Sequence, residues 1–406
     1  MADAVTLQSA ERAVLEQISE DDVRELAVAL VRQEGQNPPG GEAATVAELA
    51  RACRGLGLDV STTEVERGRA NLSAVLPGGP GPGLLLLGHT DVVPVGEGWT
   101  VPPFSGTVRD GRLFGRGSAD MKGGLAACVV AMAALRGTGV GLSGPVELAA
   151  LVDEEESGKG IRSYVRTLSS APFAGCVVAE PTDLQTVVAA RGDSYVEVTV
   201  TGRAAHAGNP ADGANAIYGA AAVTRELERW HDELRAAAHP LAGPATWSVG
   251  QISGGTGTST VPAESTLVAD RRLLPEEDHD QVLADVRERI DGLRLEERGL
   301  RADVRMTMEM PGFETPPDEP LVRVAQQAVR DAGGPDLPLA GWTAACDGGF
   351  VARDADVPVV VLGPGSVQTQ AHRPDESVAL DHLVVAARTY ALCAIRMLGH
   401  HEQGLL

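Results

Sequence analysis

No run of lysine or arginine occurs anywhere in the 406 residues, and the formal charge is −22. That absence excludes nucleic acid and anionic membrane surfaces as partners, since both need a clustered positive field. There is no apolar run of membrane-spanning length either. The opening residues, MADAVTLQSAERAVLEQ, carry charges where a signal peptide has its apolar core. Cysteine is sparse: Cys53, Cys128, Cys176, Cys346 and Cys393 form an odd set with no close pair. Zinc-ribbon spacings and a disulfide framework are therefore both missing. Apolar neighbours mark most of these thiols as small buried hydrophobes. Repeats and low-complexity segments are missing too. What remains is the expectation of a reduced, cytoplasmic protein, long enough for two domains, whose acidic residues are mostly a solvated face.

What is present begins with four leucines, Leu84 to Leu87. Such a run reads as a strand buried on both faces, in the middle of a mostly parallel sheet. Gly88 ends it. His89 and Asp91 follow, two residues apart and so on one side of an extended chain. In open α/β sheets the edge outside the carboxyl ends of the strands is where ligands bind. Asp120 lies in a glycine-rich junction before an alanine-rich helix. Alone it reads as a helix cap, just as His89 and Asp91 alone read as a satisfied polar pair.

Taken in order, the chain predicts an amphipathic helix over residues 9–34, a break at Asn37-Pro38-Pro39-Gly40, and a helix near 45–56. Strands are expected at 58–65, 71–76, 146–152 and 175–179, around the leucine strand. Strands alternating with helices, with polar residues at their carboxyl ends, mean a doubly wound α/β sheet. After Arg191 the order becomes strand, helix, strand, strand, helix, strand, ending near residue 308. This β-α-β-β-α-β pattern is a ferredoxin-like insertion. The first domain resumes through a proline-rich linker, with a strand at 357–362 and a last helix over 381–398. The expected division is a main domain of 1–190 and 310–406 and an inserted domain of 191–309.

His89, Asp91, Glu154, Glu155, Glu180 and His372 follow strands, and Asp120 stands among them. Two imidazoles and several carboxylates make a metal-ligand inventory, because borderline divalent ions take both donors. Asp120, central in the set, suits a carboxylate bridging two zinc ions. Cobalt or manganese would accept the same ligands. Asp91 reads as a partner for the other nitrogen of His89. Glu154 and Glu155, adjacent on an extended segment, would point opposite ways, one to metal and one to an attacking water as general base.

The segments LLLLGHTDVVP, GRGSADMKGG, VDEEESGKG, AEPTD, GRAAHAGNPADGANAI and GPGSVQTQAHRPDESV resemble the M20 metallopeptidases, in the acetylornithine deacetylase/succinyl-diaminopimelate desuccinylase branch. The resemblance implies a zinc-binding catalytic domain with an inserted lid that makes a homodimer. It implies one metal on His89, Asp120 and Glu180 and another on Asp120, Glu155 and His372. Glu154 matches the general base, and the Asp120–Met121 peptide is expected to be cis. His206 matches an oxyanion stabiliser that reaches the partner subunit's site; alone it reads as a turn histidine. Arg272 resembles a position that holds a substrate carboxylate, and Gly363 and Gly365 are expected to shape the pocket. Ser259 stands where the family often has asparagine. The implied substrate is a small N-acyl amino acid or short peptide with a free carboxylate. A dipeptidase, or a hydrolase releasing an amino acid from a carrier protein, fits the same motifs. A non-catalytic binding protein would have lost ligands or base, and all are present.

Overall fold

A computed structural model describes residues 8–168 and 173–399. The chain divides into two units: Met1–Val188 with Thr315–Ala340 and Phe350–Leu406, and Ala189–Glu314 with Gly341–Gly349.

The first unit is built on a mixed sheet. Its strands run in the order Asp59–Glu66, Arg69–Leu76, Val146–Leu151, Gly83–His89, Phe173–Val178, Val359–Val361 and then Val187 at the start of Val187–Ala190. The four from Val146–Leu151 to Val359–Val361 are parallel, and the flanking pairings are antiparallel. Gly83–His89 is buried at every position, as a central parallel strand covered on both faces must be. Asp59–Glu66, at the edge, is mostly exposed. Leu84 and Leu86 join the large core that also takes the helices Lys122–Thr138 and Leu380–Leu398. Leu85 and Leu87, alternating with them, point to the opposite face. All five cysteines are buried thiols outside any disulfide among the described residues.

Three local features differ from the sequence expectation. Residues 9–34 form two helices, Ser9–Glu16 and Glu20–Val31, because Ser19 caps the second by accepting from the Asp22 N–H at 3.1 Å. Three acidic residues in its first turn favour that restart. Asp120 is not a cap: Met121 holds the cap position of Lys122–Thr138 with no side-chain bond. A small antiparallel sheet of Ser377–Ala379, Arg112–Phe114 and Thr107–Arg109 was not expected, since three residues are too few to show a period.

The second unit has strand Gly192–Thr201, helix Ala216–Leu234, strands Thr246–Gly254 and Glu264–Leu273, helix His279–Asp291 and strand Arg301–Met310. Its sheet is antiparallel throughout, with Glu264–Leu273 and Gly192–Thr201 central. Inward-facing Val196, Val198 and Val200 meet Ala220, Val223 and Leu227 of the first helix and Val286 of the second in one core. Asn215 caps the first helix through the Ile217 and Tyr218 N–H groups.

Leu86 is 1% exposed. Leu86→Ala is expected to cost the first unit about 2–5 kcal/mol and Leu86→Met under about 1.5 kcal/mol. Urea denaturation would show this as a lowered midpoint at unchanged slope.

Candidate metal centre

The strand Gly83–His89 delivers His89 to the carboxyl edge of the sheet. Gly88 is required there, since a Cβ would lie 2.4 Å from Met121 Cε and 2.9 Å from Leu125 Cδ2. The strands on either side, Val146–Leu151 and Phe173–Val178, run parallel to it. Their following segments carry Glu154, Glu155 and Glu180 to the same edge.

Asp120 sits between two histidines. Its Oδ1 is 3.2 Å from His89 Nε2, and its Oδ2 is 3.3 Å from His372 Nε2. Glu180 Oε1 is 3.3 Å from His89 Nε2, and Glu155 Oε2 is 3.1 Å from His372 Nε2. Two trios result, His89–Asp120–Glu180 and Asp120–Glu155–His372, each with ligand atoms within 4.8 Å of one another. His89, Asp120 and Glu180 are buried, whereas His372 is half exposed.

The electrostatics fit a cation. Burial pushes the Glu180 carboxyl up to about 7, and burial together with the Asp120 charge raises Glu155. Burial also opposes Asp120, but hydrogen bonds from His372 and His89 hold its pKa well below the usual carboxylate range. Hydrogen bonds to Asp120 and Glu155 lift His372 to about 10. Burial disfavours a charged His89, yet the charge of Glu180 and the bonds to Asp120 and Asp91 raise it well above its ordinary value. Glu155 Oε1 is buried without a hydrogen-bond partner among the described residues. Crowded carboxylates and an orphaned oxygen fit divalent ions of the kind that take imidazole and carboxylate together.

Around the trios, several side chains take roles that the sequence did not announce. His89 Nδ1 lies 3.0 Å from the Asp91 main-chain oxygen and 3.5 Å from its Oδ1. The expected Asp91 carboxylate contact to His89 is thus the longer of the two. That carboxylate instead accepts the N–H groups of Glu154 and Glu155 at 3.3 and 3.2 Å, and the Asn37 carboxamide at 2.9 Å. Glu154 and Glu155 lie in a turn opened by Asp153 at φ +71°, not on an extended segment. The turn closes because the Ser157 and Gly158 N–H groups return to the Asp153 oxygen. Glu376, fully buried, accepts from the Ala119 and Asp120 N–H groups at 2.9 and 3.1 Å and from Arg116 at 2.6 Å. It ties the Asp120 loop to the segment of His372. The only signal for it was its place four residues after His372. The Asp120–Met121 peptide is cis.

Gly363 faces Ala179 and Glu180, whose oxygens would lie 2.5 Å from an added Cβ. Its N–H is taken by Thr182 Oγ1 at 3.1 Å, so it braces the Glu180 segment and offers no donor to a substrate. Gly365, at φ +85°, accepts from the Asp183 N–H at 2.6 Å.

In the second unit, His206 bridges to Thr260, and the Ala207 N–H reaches the Ser259 oxygen at 2.9 Å. His206 and Ser259, 53 positions apart in sequence, are thus adjacent. His206 is exposed, and its Nδ1 accepts the Gly208 N–H at 3.0 Å. With Nδ1 accepting, Nε2 is the ring nitrogen left to donate. Arg272 is not an open fork. Its Nε and Nη2 bond to Asp270 at 3.1 and 2.9 Å, and Nη2 also pairs with Asp193 at 3.0 Å.

The chain matches the model of peptidase family M20/M25/M40 over residues 85–396. It is 31% identical over 353 residues to an acetylornithine deacetylase of Aliivibrio fischeri, covering 84% of this chain and 88% of that one. Its fold is similar to that of an M20 family metallo-carboxypeptidase from Sulfolobus solfataricus, with a TM-score of 0.77 at 18% identity over 93% of this chain and 99% of that one. It is also similar to a dinuclear metal-binding M20 peptidase from Bacillus subtilis, with a TM-score of 0.71 at 15% identity over 93% and 97%. No helix among the described residues is long and apolar enough to cross a membrane. With its two trios of metal-ligating side chains at the carboxyl edge of the sheet, the chain belongs to peptidase family M20/M25/M40 and is a metal-dependent hydrolase of amide or peptide bonds.

Proposed function

We propose that this protein is a di-zinc amidohydrolase that removes the acyl group from an N-acyl amino acid, a deacetylase or desuccinylase. The observation that carries the reading is Asp120, each of whose oxygens faces a separate histidine and carboxylate. The similarity to acetylornithine deacetylases favours an acyl amino acid over a longer peptide. His89, Asp120 and Glu180 would hold one ion and Asp120, Glu155 and His372 the other, with cobalt or manganese able to take the same donors. Bound there, the ions supply a Lewis acid for the amide carbonyl and lower the pKa of water.

The chain's own groups do the rest. Glu154 takes a proton from the attacking water and returns it to the leaving amine. Asp91, accepting the Glu154 and Glu155 N–H groups, sets the direction of both side chains. His206, with its proton on Nε2, donates to the developing oxyanion, and Ser259 beside it contacts the substrate. Arg272, held through Nε and Nη2 by Asp270 and Asp193, would turn Nη1 to a substrate carboxylate. We assign catalysis to the first unit and the lid role to the second, Ala189–Glu314 with Gly341–Gly349, where the sequence suggested 1–190 with 310–406 and 191–309. In a homodimer through the lid, His206 serves the other subunit's site. Exposed Tyr218 and Ile252, at 65% and 55%, supply apolar surface for that contact.

Metal content by equilibrium dialysis is expected to be two ions per chain. Glu180→Ala should remove one, His372→Ala the other, and Asp120→Ala should weaken both. Because His372 and Glu180 are held protonated toward pH 10 and 7, binding displaces protons, so affinity should rise with pH from 6 to 8.

Glu154→Gln should lower kcat by about 10²–10⁴-fold on N-acetyl or N-succinyl amino acids, with metal content retained. Turnover near the wild-type rate would remove Glu154 as the base. A panel that includes dipeptides would name the preferred acyl group. Sedimentation should show a dimer that Tyr218→Glu with Ile252→Glu converts to monomers of low activity.

A further inference from the structure

Asn37 is 3% exposed and lies far from the metal ligands in sequence, yet its carboxamide stands between two buried carboxylates. Nδ2 donates to Asp91 Oδ2 at 2.9 Å and to Asp153 Oδ1 at 3.0 Å. Neither neighbour offers a proton, so the NH₂ end must face them, and both its N–H groups are used. The backbone beneath it has little freedom. The Asn37 N–H reaches the Val92 oxygen at 2.9 Å, and the Val92 N–H returns to the Gly35 oxygen at 3.0 Å. Buried Lys122 holds the preceding Glu34 oxygen at 3.1 Å.

The two carboxylates it joins control one turn. Asp91 accepts the N–H groups of Glu154 and Glu155. Asp153 opens the turn; Arg69 pairs with the same Oδ1 at 2.8 Å, and Ser157 donates to Oδ2. Side chains that hold a carboxylate pair together fix whatever hangs from it.

We propose that Asn37 is a positioning residue, whose carboxamide clamps Asp91 to Asp153 and thereby aims Glu155 at its metal trio and Glu154 at the substrate. This rests on the roles given above to Glu154 and Glu155. A carboxylate at this position would bring a third negative charge and no donor. A hydroxyl would keep one donor of the two. No other residue type of similar size supplies two N–H groups from one atom to two acceptors.

The test compares full-length wild type, Asn37→Asp and Asn37→Ser. Zinc titration by calorimetry gives the affinity of each ion, steady-state assays on the preferred acyl amino acid give kcat and KM, and thermal melting reports folding. Asn37→Asp should weaken the ion that depends on Glu155 by about 10–100-fold and lower kcat by a comparable factor, with KM within about threefold. The ion held by His89 and Glu180 should change less. Asn37→Ser should fall between, and it carries the test if the aspartate variant does not fold. Wild-type affinities and kcat in both variants would overturn the proposal. So would equal weakening of both ions with a lower melting temperature, since that is a general loss of structure. The metal readout does not depend on Glu154, so an error in the base assignment would appear separately, in Glu154→Gln.

Discussion

Negative charge packed around one carboxylate is the constraint on which the rest of this protein depends. Asp120, Glu155 and Glu180 share a site with only two imidazoles between them, and Asp91 lies just behind. Buried carboxylates at that spacing repel unless they are protonated, hydrogen-bonded or neutralised by cations. Each kind of relief has left a mark. Glu180 is raised toward neutrality, Asp91 is given four nearby donors in Asn37, Glu154, Glu155 and His89, and Glu155 keeps an oxygen with no partner among the described residues. A scaffold without metal chemistry has no reason to carry that cost.

Topology explains how the ligands meet. Parallel strands all end on one edge, so residues that follow Gly83–His89, Val146–Leu151, Phe173–Val178 and Val359–Val361 are gathered there although they are up to 283 positions apart, from His89 to His372. Adjacent strands supply His89, Glu155 and Glu180. Asp120 comes from a loop that Glu376 pins by two N–H bonds, with Arg116 and the Trp99 ring behind it. Rigid strands thus fix the rough positions, and buried side chains in the loops set the final direction.

Much of this was legible in the chain. The four leucines gave the central strand because burial on both faces leaves an uninterrupted apolar run. The polar residues just past each run marked the candidate ligands that the fold brings into two trios, because a sheet edge begins where the apolar run stops. Other expectations failed for local reasons. A serine cap split the first helix, and three-residue strands were too short to leave a pattern. The Glu154–Glu155 segment is a turn because Asp153 takes a left-handed backbone conformation.

The sequence by itself determined which residue types stand at the ends of the buried runs and in what order the elements come. Hydrophobic period, glycine breaks and ligand types are properties of neighbours along the chain. Only the tertiary structure decided who bonds to whom behind the site. Asn37 between Asp91 and Asp153, Glu376 beneath Asp120, and Arg272 held by Asp193 join positions 54 to 256 residues apart or, in the last case, two strands paired side by side. Hydrogen-bond partners of that kind leave no period in the sequence, because they are chosen by which surfaces the fold presses together and by the need to satisfy each polar group so buried.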